Sequence, residues 1–153
     1  MKSVSLTLII ILFAFSSIIP QTVNNNFLVA ENNDTSYTVN LQLSVNQNTA
    51  VLGNSVIRFS YDTTAFYFPQ NPKANVDYQF YNLNSSNYYF TVSHPSSNII
   101  SVNLALMTST GTTISSNFKN IVSIHFKKIK QSDNANIQPV LRQFFRCHPN
   151  YGL

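Results

Sequence analysis

From Tyr37 onward the chain alternates apolar and polar residues with a period of two. Tyr37, Val39, Leu41, Leu43 and Val45 are interleaved with Thr38, Asn40, Gln42 and Ser44. Successive side chains on a strand point to opposite faces, so this stretch predicts one buried and one wet face. Asn46 to Asn54, with Leu52-Gly53-Asn54, reads as a turn region. Val56 to Tyr61 is the next predicted strand, with Ile57, Phe59 and Tyr61 inward. Asp62-Thr63-Thr64 reads as a turn leaving the sheet. Phe66 and Phe68 then return to the core, and Pro69 ends the pairing.

Farther on, Val76 to Asn82 and Tyr88 to His94 read as a hairpin turning at Ser85. This register sets Phe80 opposite Phe90 and Tyr78 opposite Val92 on one face, and Tyr81 opposite Tyr89 on the other. Ile99 to Leu106 alternates again. Met107 to Asn117 is a polar loop around Gly111, with a short strand at Thr112-Thr113-Ile114. In Ile121 to Ile129, Val122, Ile124 and Phe126 point inward and Ser123, His125 and Lys127 outward. No stretch keeps a helical period. Short strands between Asn, Ser and Pro turns argue an all-β, antiparallel two-sheet sandwich.

Ahead of this body, Lys2 precedes an uncharged run from Leu6 to Phe15. The run falls short of the ~20 apolar residues needed to span a bilayer. Ala14-Phe15-Ser16 offers a small-x-small cleavage site, so residues 1–16 read as a signal peptide, with a boundary as late as residue 30. Export to the medium or the outer cell surface is the expectation, with no membrane span after cleavage. The Asn-rich residues 17–35 read as a linker, 36–145 as the sandwich and 146–153 as an irregular tail.

Composition narrows the function. The chain has 153 residues and only 9% charged ones, with 12 Phe and 8 Tyr to fill a core. The net charge of +4 is uneven. Between Ser17 and Phe126, Arg58, Lys73 and Lys119 face Glu31, Asp34, Asp62 and Asp77. Lys127, Lys128, Lys130, Arg142 and Arg146 crowd the C-terminal stretch against Asp133. A nucleic-acid binder should carry its basic stripe on the folded body, so no nucleic-acid partner is expected. Cys147 is the single cysteine, and the fold must rest on its core.

Catalysis finds little footing. Glycoside hydrolysis needs two carboxylates ~5–10 Å apart in a cleft, and the acids here are scattered. Asp62 is expected to order its own turn and Asp77 to sit in a solvated one. His94, before Pro95 at a strand end, is expected to be exposed, and His125 to lie on a polar strand face. His94, His125 and His148 lack metal-ligand spacing with Cys147. No phosphate loop or nucleophile elbow is present. The reading is a non-enzyme without cofactor or metal.

Binding is the better idea, and Tyr81 and Tyr89 are its candidate ligand-binding residues. Outward and adjacent across the predicted hairpin, they would stack on a sugar ring or anchor a protein interface. A cross-strand Tyr pair that only stabilises the sheet is the simpler reading, and the absence of Trp weakens the glycan case. Asn33-Asp34-Thr35 and Asn84-Ser85-Ser86 fit the glycosylation sequon and read as chance in an Asn-rich chain.

Leu52-Gly53-Asn54-Ser55, Ile57-Arg58-Phe59-Ser60-Tyr61-Asp62, Phe68-Pro69, Asp77-Tyr78-Gln79-Phe80 and Ile121-Val122-Ser123-Ile124-His125-Phe126 carry a resemblance. The body from Tyr37 to about Ile129 resembles a cohesin-type module of the carbohydrate-binding β-sandwich superfamily. It is similar to the small secreted modules of multi-domain proteins in Bacteroidota and Ignavibacteria-type bacteria. The resemblance implies a nine-stranded jelly roll that binds a protein partner or a polysaccharide at the cell surface. Thr63 stands where the family often has Pro. Asn136 to Phe145 fits the family's final strand, but Arg146 to Leu153 matches none of its patterns and reads as a truncated or frameshifted end. The expected function is protein–protein adhesion or assembly, with carbohydrate binding and an inert surface spacer as alternatives.

Overall fold

The computed structural model describes residues 22–46, 49–140 and 144–149, the last of these as backbone only. The N-terminal apolar run and its cleavage site lie outside these residues. The described residues contain eleven strands and no helix. β1 (Val23–Asn32), β2 (Ser36–Val45), β9 (Lys119–Lys128) and β4 (Phe66–Tyr67) follow one another in a first sheet, where β5 (Tyr78–Phe80) also pairs with β9. The second sheet runs β10 (Gln138–Pro139), β3 (Ala50–Ser60), β7 (Ile99–Leu106) and β6 (Tyr88–Ser96). There β8 (Thr113–Ile114) and β11 (Phe144–Pro149) also pair with β3. All strand pairs are antiparallel.

Leu41, Leu43, Ile57, Phe59, Val102, Val122, Ile124 and Phe126 are all buried between the sheets. Aromatic rings join the layers, with Phe27 5.0 Å from Phe59 and Tyr61 5.1 Å from Phe126. Such packing is what two sheets with one apolar face each achieve.

The strands expected at Tyr37–Val45, Ile99–Leu106, Thr112–Ile114 and Ile121–Ile129 are present with small shifts at their ends. Four other expectations are corrected. First, most of the supposed linker is β1, which pairs with β2 along its length. It looks polar because it is an edge strand, with Val23 and Phe27 half-buried. A signal cut after Ala30 would remove most of it.

Second, β3 starts at Ala50 and runs through the supposed turn at Leu52-Gly53-Asn54. β3 pairs with β8 at Ala50 and Val51, then with β7 from Ser55. The register against β11 slips between Phe145 and Cys147. Gly53 and Asn54 therefore mark a bulge where the strand changes partners. Asn54 Oδ1 accepts the Leu106 backbone N–H there, at 2.8 Å.

Third, the hairpin around Ser85 does not form. β5 belongs to the first sheet and β6 to the second. Asn82 adopts φ 56°, a left-handed conformation that Asn tolerates, and the chain passes from one sheet to the other. Phe80 and Phe90 do meet, with ring centroids 4.3 Å apart, but across the core and not along a ladder.

Fourth, Phe144 to Pro149 is a strand, so the ending is not irregular over that range. Thr38 and Ser44, expected on a wet face, are also buried. β2 is flanked by β1 and β9, whose side chains cover it.

One buried hydroxyl locks the loop after β7. Tyr88 Oη donates to the Leu52 carbonyl and accepts the Thr112 N–H at 2.7 Å. Tyr88→Phe strands both backbone groups, and a buried unsatisfied group costs about 1–3 kcal/mol. Urea denaturation should show a loss of that size with an unchanged m-value.

Candidate functional site

Among the described residues, the two outer sheet faces and a lateral cleft at the β4 edge are open to a ligand, and a smaller hollow of about 120 Å³ lies beside Phe27, Val39 and Ile137. On the outer face of the first sheet the polar side chains bond to one another. Asn26 Nδ2 donates to Gln42 Oε1 at 2.9 Å, and Gln42 Nε2 donates to Asn120 Oδ1 at 2.7 Å. Ser123 Oγ donates to Asn40 Oδ1. Thr38 Oγ1 lies 3.3 Å from Glu31 Oε2 and 3.0 Å from His125 Nδ1. These rungs follow the register, which sets Asn26 beside Gln42, Asn40 beside Ser123 and Thr38 beside His125. His125 thus lies on a polar face, as the alternation predicts.

The second sheet presents a different outer face. Along β6 and β7, Thr91 pairs with Asn103 and Ser93 with Ser101, while β3 adds Val56 opposite Asn103 and Arg58 opposite Ser101. These side chains are mostly short, so the face is flat. Arg58 and Tyr89 rise from it, both exposed, and Tyr89 is 63% exposed. Tyr89 lies opposite Ala105, which leaves its ring uncovered from that side.

The two candidate tyrosines are therefore separated. Tyr89 belongs to the second sheet. Tyr81 follows β5 in the first, where its N–H reaches the Ile121 carbonyl at 2.8 Å and its hydroxyl donates to Gln79 Oε1 at 3.0 Å. They are not cross-strand neighbours and form no common stacking platform. The failed hairpin is the reason.

The cleft, of about 210 Å³, opens at the β4 edge between the sheets. Tyr61, Phe66, Phe68 and His94 form its inner wall, and Tyr67 and Ile129 its exposed rim. His94 is the correction here: it is 8% exposed, not a surface residue. Tyr88, Phe90, Val92 and His94 share one parity along β6, and that alternation was the signal for its burial. Tyr61 Oη donates to the Ser97 carbonyl and lies 3.3 Å from His94 Nε2. His94 Nδ1 is buried without a hydrogen-bond partner among the described residues. Burial pushes the Tyr61 phenol above its usual range, opposed by a hydrogen bond with the Phe68 backbone.

The acids behave as turn residues. Asp62 Oδ1 accepts the Thr64 N–H at 2.8 Å and the Thr64 hydroxyl at 2.7 Å. Asp77 Oδ2 accepts the Lys73 N–H at 2.8 Å. The Thr64 hydroxyl, then its N–H, hold the Asp62 carboxyl below its ordinary 3.8. A depressed folded-state value means that the turn's contribution is present above pH 3.8 and is lost as the pH falls through the folded value. Asp62→Asn keeps an acceptor but removes the titration. Its stability–pH curve should be flatter than wild type below that point, measured by thermal melts in acid buffers. Among the described residues, no three of His, Cys, Asp and Glu come together as a metal site, and no helix is long and apolar enough to cross a membrane.

Comparison with solved structures finds cohesin modules. The chain matches the cohesin of a complex between CaCohA2 and a CaDoc0917 variant with a TM-score of 0.51 at 19% identity, over 84% of this chain and 82% of that one. A cohesin module from a Clostridium perfringens family 33 glycoside hydrolase matches with a TM-score of 0.47 at 13% identity, over 82% of this chain and 96% of that one. No family model and no curated protein matches the chain. The likeness to the CaCohA2 cohesin gives the fold: an all-β, two-sheet sandwich of cohesin type.

Proposed function

We propose that this cohesin-like chain is a secreted or cell-surface module that binds another protein, without catalysis, through the outer face of the β3–β7–β6 sheet. The observation that carries this reading is the flat polar face from which Arg58 and Tyr89 project. Tyr and Arg are the residue types that most often dominate protein interfaces, and they do so best when surrounded by short, near-neutral contacts. The opposite face is less suited, because its polar network runs across three strands, from Asn26 through Gln42 to Asn120, whereas the bonds on this face stay around Asn103, to Ser101 and Thr91. The CaCohA2 neighbour was solved with CaDoc0917, a protein partner, which agrees with this reading. Export rests on the apolar N-terminal run.

The test is affinity capture from culture medium and envelope fractions with the purified exported chain. One partner should be retained by the wild type. Tyr89→Ala and Arg58→Ala should each weaken it by about tenfold or more, or about 1.4 kcal/mol, without moving the melting temperature. Tyr81→Ala should leave it unchanged. Retention on insoluble polysaccharide with no protein captured would transfer the proposal to carbohydrate binding. Binding to neither would make the chain a spacer.

A further inference from the structure

The β3–β7–β6 face changes character from one end to the other. On β7, Ser101 lies opposite Arg58 of β3, and Ala105, four residues on, lies opposite Tyr89 of β6. Beyond Ala105 the Met107 N–H reaches the Asn87 carbonyl at 2.8 Å, which continues the ladder by one more rung. Residues two apart on a strand share a face, so Met107 follows Ala105 onto the side of Tyr89. Met107 and Tyr89 are each 63% exposed, with the exposed Ala105 between them. Diagonal neighbours on a sheet lie within reach of long side chains, so the three make one apolar end.

The other end is cationic. The strands of this sheet contain Arg58 and Arg146, the latter in β11 alongside β3, and no Lys, Asp or Glu. Among the described residues the exposed Arg58 guanidinium has no hydrogen-bond or ion-pair partner. The acids lie off the face and are engaged elsewhere. Asp62 is four residues past Arg58, ~13 Å along an extended chain. Its Oδ1 is held by Thr64, with Lys130 beside it. Glu31 accepts from Ser36 and Thr38 in the first sheet. Asp77 accepts the Lys73 N–H and Asp34 accepts from Gln131. Asp133 belongs to the loop whose Ala135 accepts the Asp62 N–H.

An arginine presents its donors as a planar fork that matches a carboxylate, and an unpaired one on a face without acids selects an acidic partner. Arg58 and Tyr89 are four residues and two strand spacings apart, roughly 16 Å. Resting on the docking face proposed above, we infer the chemistry of what docks. The partner surface carries a carboxylate that pairs with Arg58 and, about 16 Å away, an apolar side chain that packs against Tyr89 and Met107. Met107 is thereby a binding residue, and the two unlike ends fix the partner's orientation.

The test is selection from a phage-displayed library of random dodecapeptides on the purified exported chain, followed by fluorescence anisotropy of the selected peptides. Peptides that need Tyr89 for binding should carry an excess of Asp or Glu to one side of an aromatic or aliphatic residue. Arg58→Ala should weaken them by about tenfold or more, and Arg58→Glu should remove binding. Arg58→Lys should recover only part of it, because an ammonium does not reproduce the fork. Raising the salt from about 0.05 to 0.5 M should weaken wild-type binding severalfold and leave the residual Arg58→Ala binding nearly unchanged. Met107→Ala should weaken binding severalfold and keep the salt dependence. These side chains are exposed, so melting temperatures should hold. Tyr89-dependent peptides that lack the acidic excess, or that bind Arg58→Glu as well as wild type, would overturn the acidic partner and leave the docking face standing. Tyr89-dependent peptides indifferent to Met107→Ala would overturn the apolar end. A selection that yields no Tyr89-dependent peptide would overturn the docking face and the partner chemistry together.

Discussion

Gly111→Ala is expected to destabilise the domain by about 3–5 kcal/mol, because overpacking and lost hydrogen bonds add. Gly111 sits in the loop between β7 and β8, where that loop closes over β3. A Cβ on it would lie 2.5 Å from the Leu52 carbonyl oxygen, 2.6 Å from Val51 Cγ1 and 2.7 Å from Tyr88 Oη. Two of these atoms form the hydroxyl-to-backbone bond that ties the loop to the sheet. They cannot retreat without breaking it, and Leu52 O belongs to a strand paired on both sides. The constraint is one of space. Thermal and urea denaturation should show the midpoint fall by roughly 10–15 °C, given a few °C per kcal/mol for a domain of this size. Thr110→Ala, one residue earlier, should stay within about 0.5 kcal/mol of wild type. A Gly111→Ala melting temperature within 2 °C of wild type, on an order-of-magnitude scale, would mean that the loop yields and that Tyr88 does not clamp it.

Phe126→Ala should cost about 3–5 kcal/mol, the usual loss for an aromatic side chain deleted from a packed core. Phe126 is 1% exposed. Its ring centroid lies 5.1 Å from Tyr61, 6.2 Å from Phe66 and 5.7 Å from Phe68, so one deletion removes contacts from three aromatic partners. Phe66 belongs to β4 of the first sheet, and Tyr61 and Phe68 lie in the chain just after β3 and β4, so the three cannot all collapse into the space. Phe118→Ala is the control, since that ring is half exposed and should cost under about 1 kcal/mol by the area it buries. Equal losses for the two variants, by equilibrium denaturation, would overturn the view that the Tyr61, Phe66, Phe68 and Phe126 cluster is the keystone of this end of the sandwich. Because the same cluster walls the cleft, Phe126→Ala should also loosen its inner side.

How much of the fold the sequence makes legible differs from residue to residue. The Asp62 turn was readable because its bonds to Thr64 span two residues, and local bonds leave local signatures. The return of Phe66 and Phe68 to the core was readable for the same reason. Tyr81 and Tyr89 were not placed correctly. Both the hairpin and the observed crossing keep Phe80 against Phe90, so the apolar pattern alone does not choose between them. His94 was misplaced because the Pro95 after it suggested a strand end, while β6 continues to Ser96. The apolar residues of β1 bunch mostly at Phe27 to Ala30 without alternating, so no period of two advertises it, and its pairing to β2 is made by its backbone. The cleft joins residues from β4, β6 and the ends of β3 and β9, and no sequence spacing records such a meeting.

By itself the sequence determined the all-β class, the inward positions of β2, β3, β7 and β9, and the cohesin-like character of the body. Period-two burial is a property of each strand alone, so it survives whatever the strands pair with. Which strands pair, which sheet each tyrosine joins, where β3 changes partner and what Gly111 touches were decided only by the tertiary structure. Those depend on contacts between residues tens of positions apart, where alternative pairings bury the same apolar side chains and only the packing of both sheets together tells them apart.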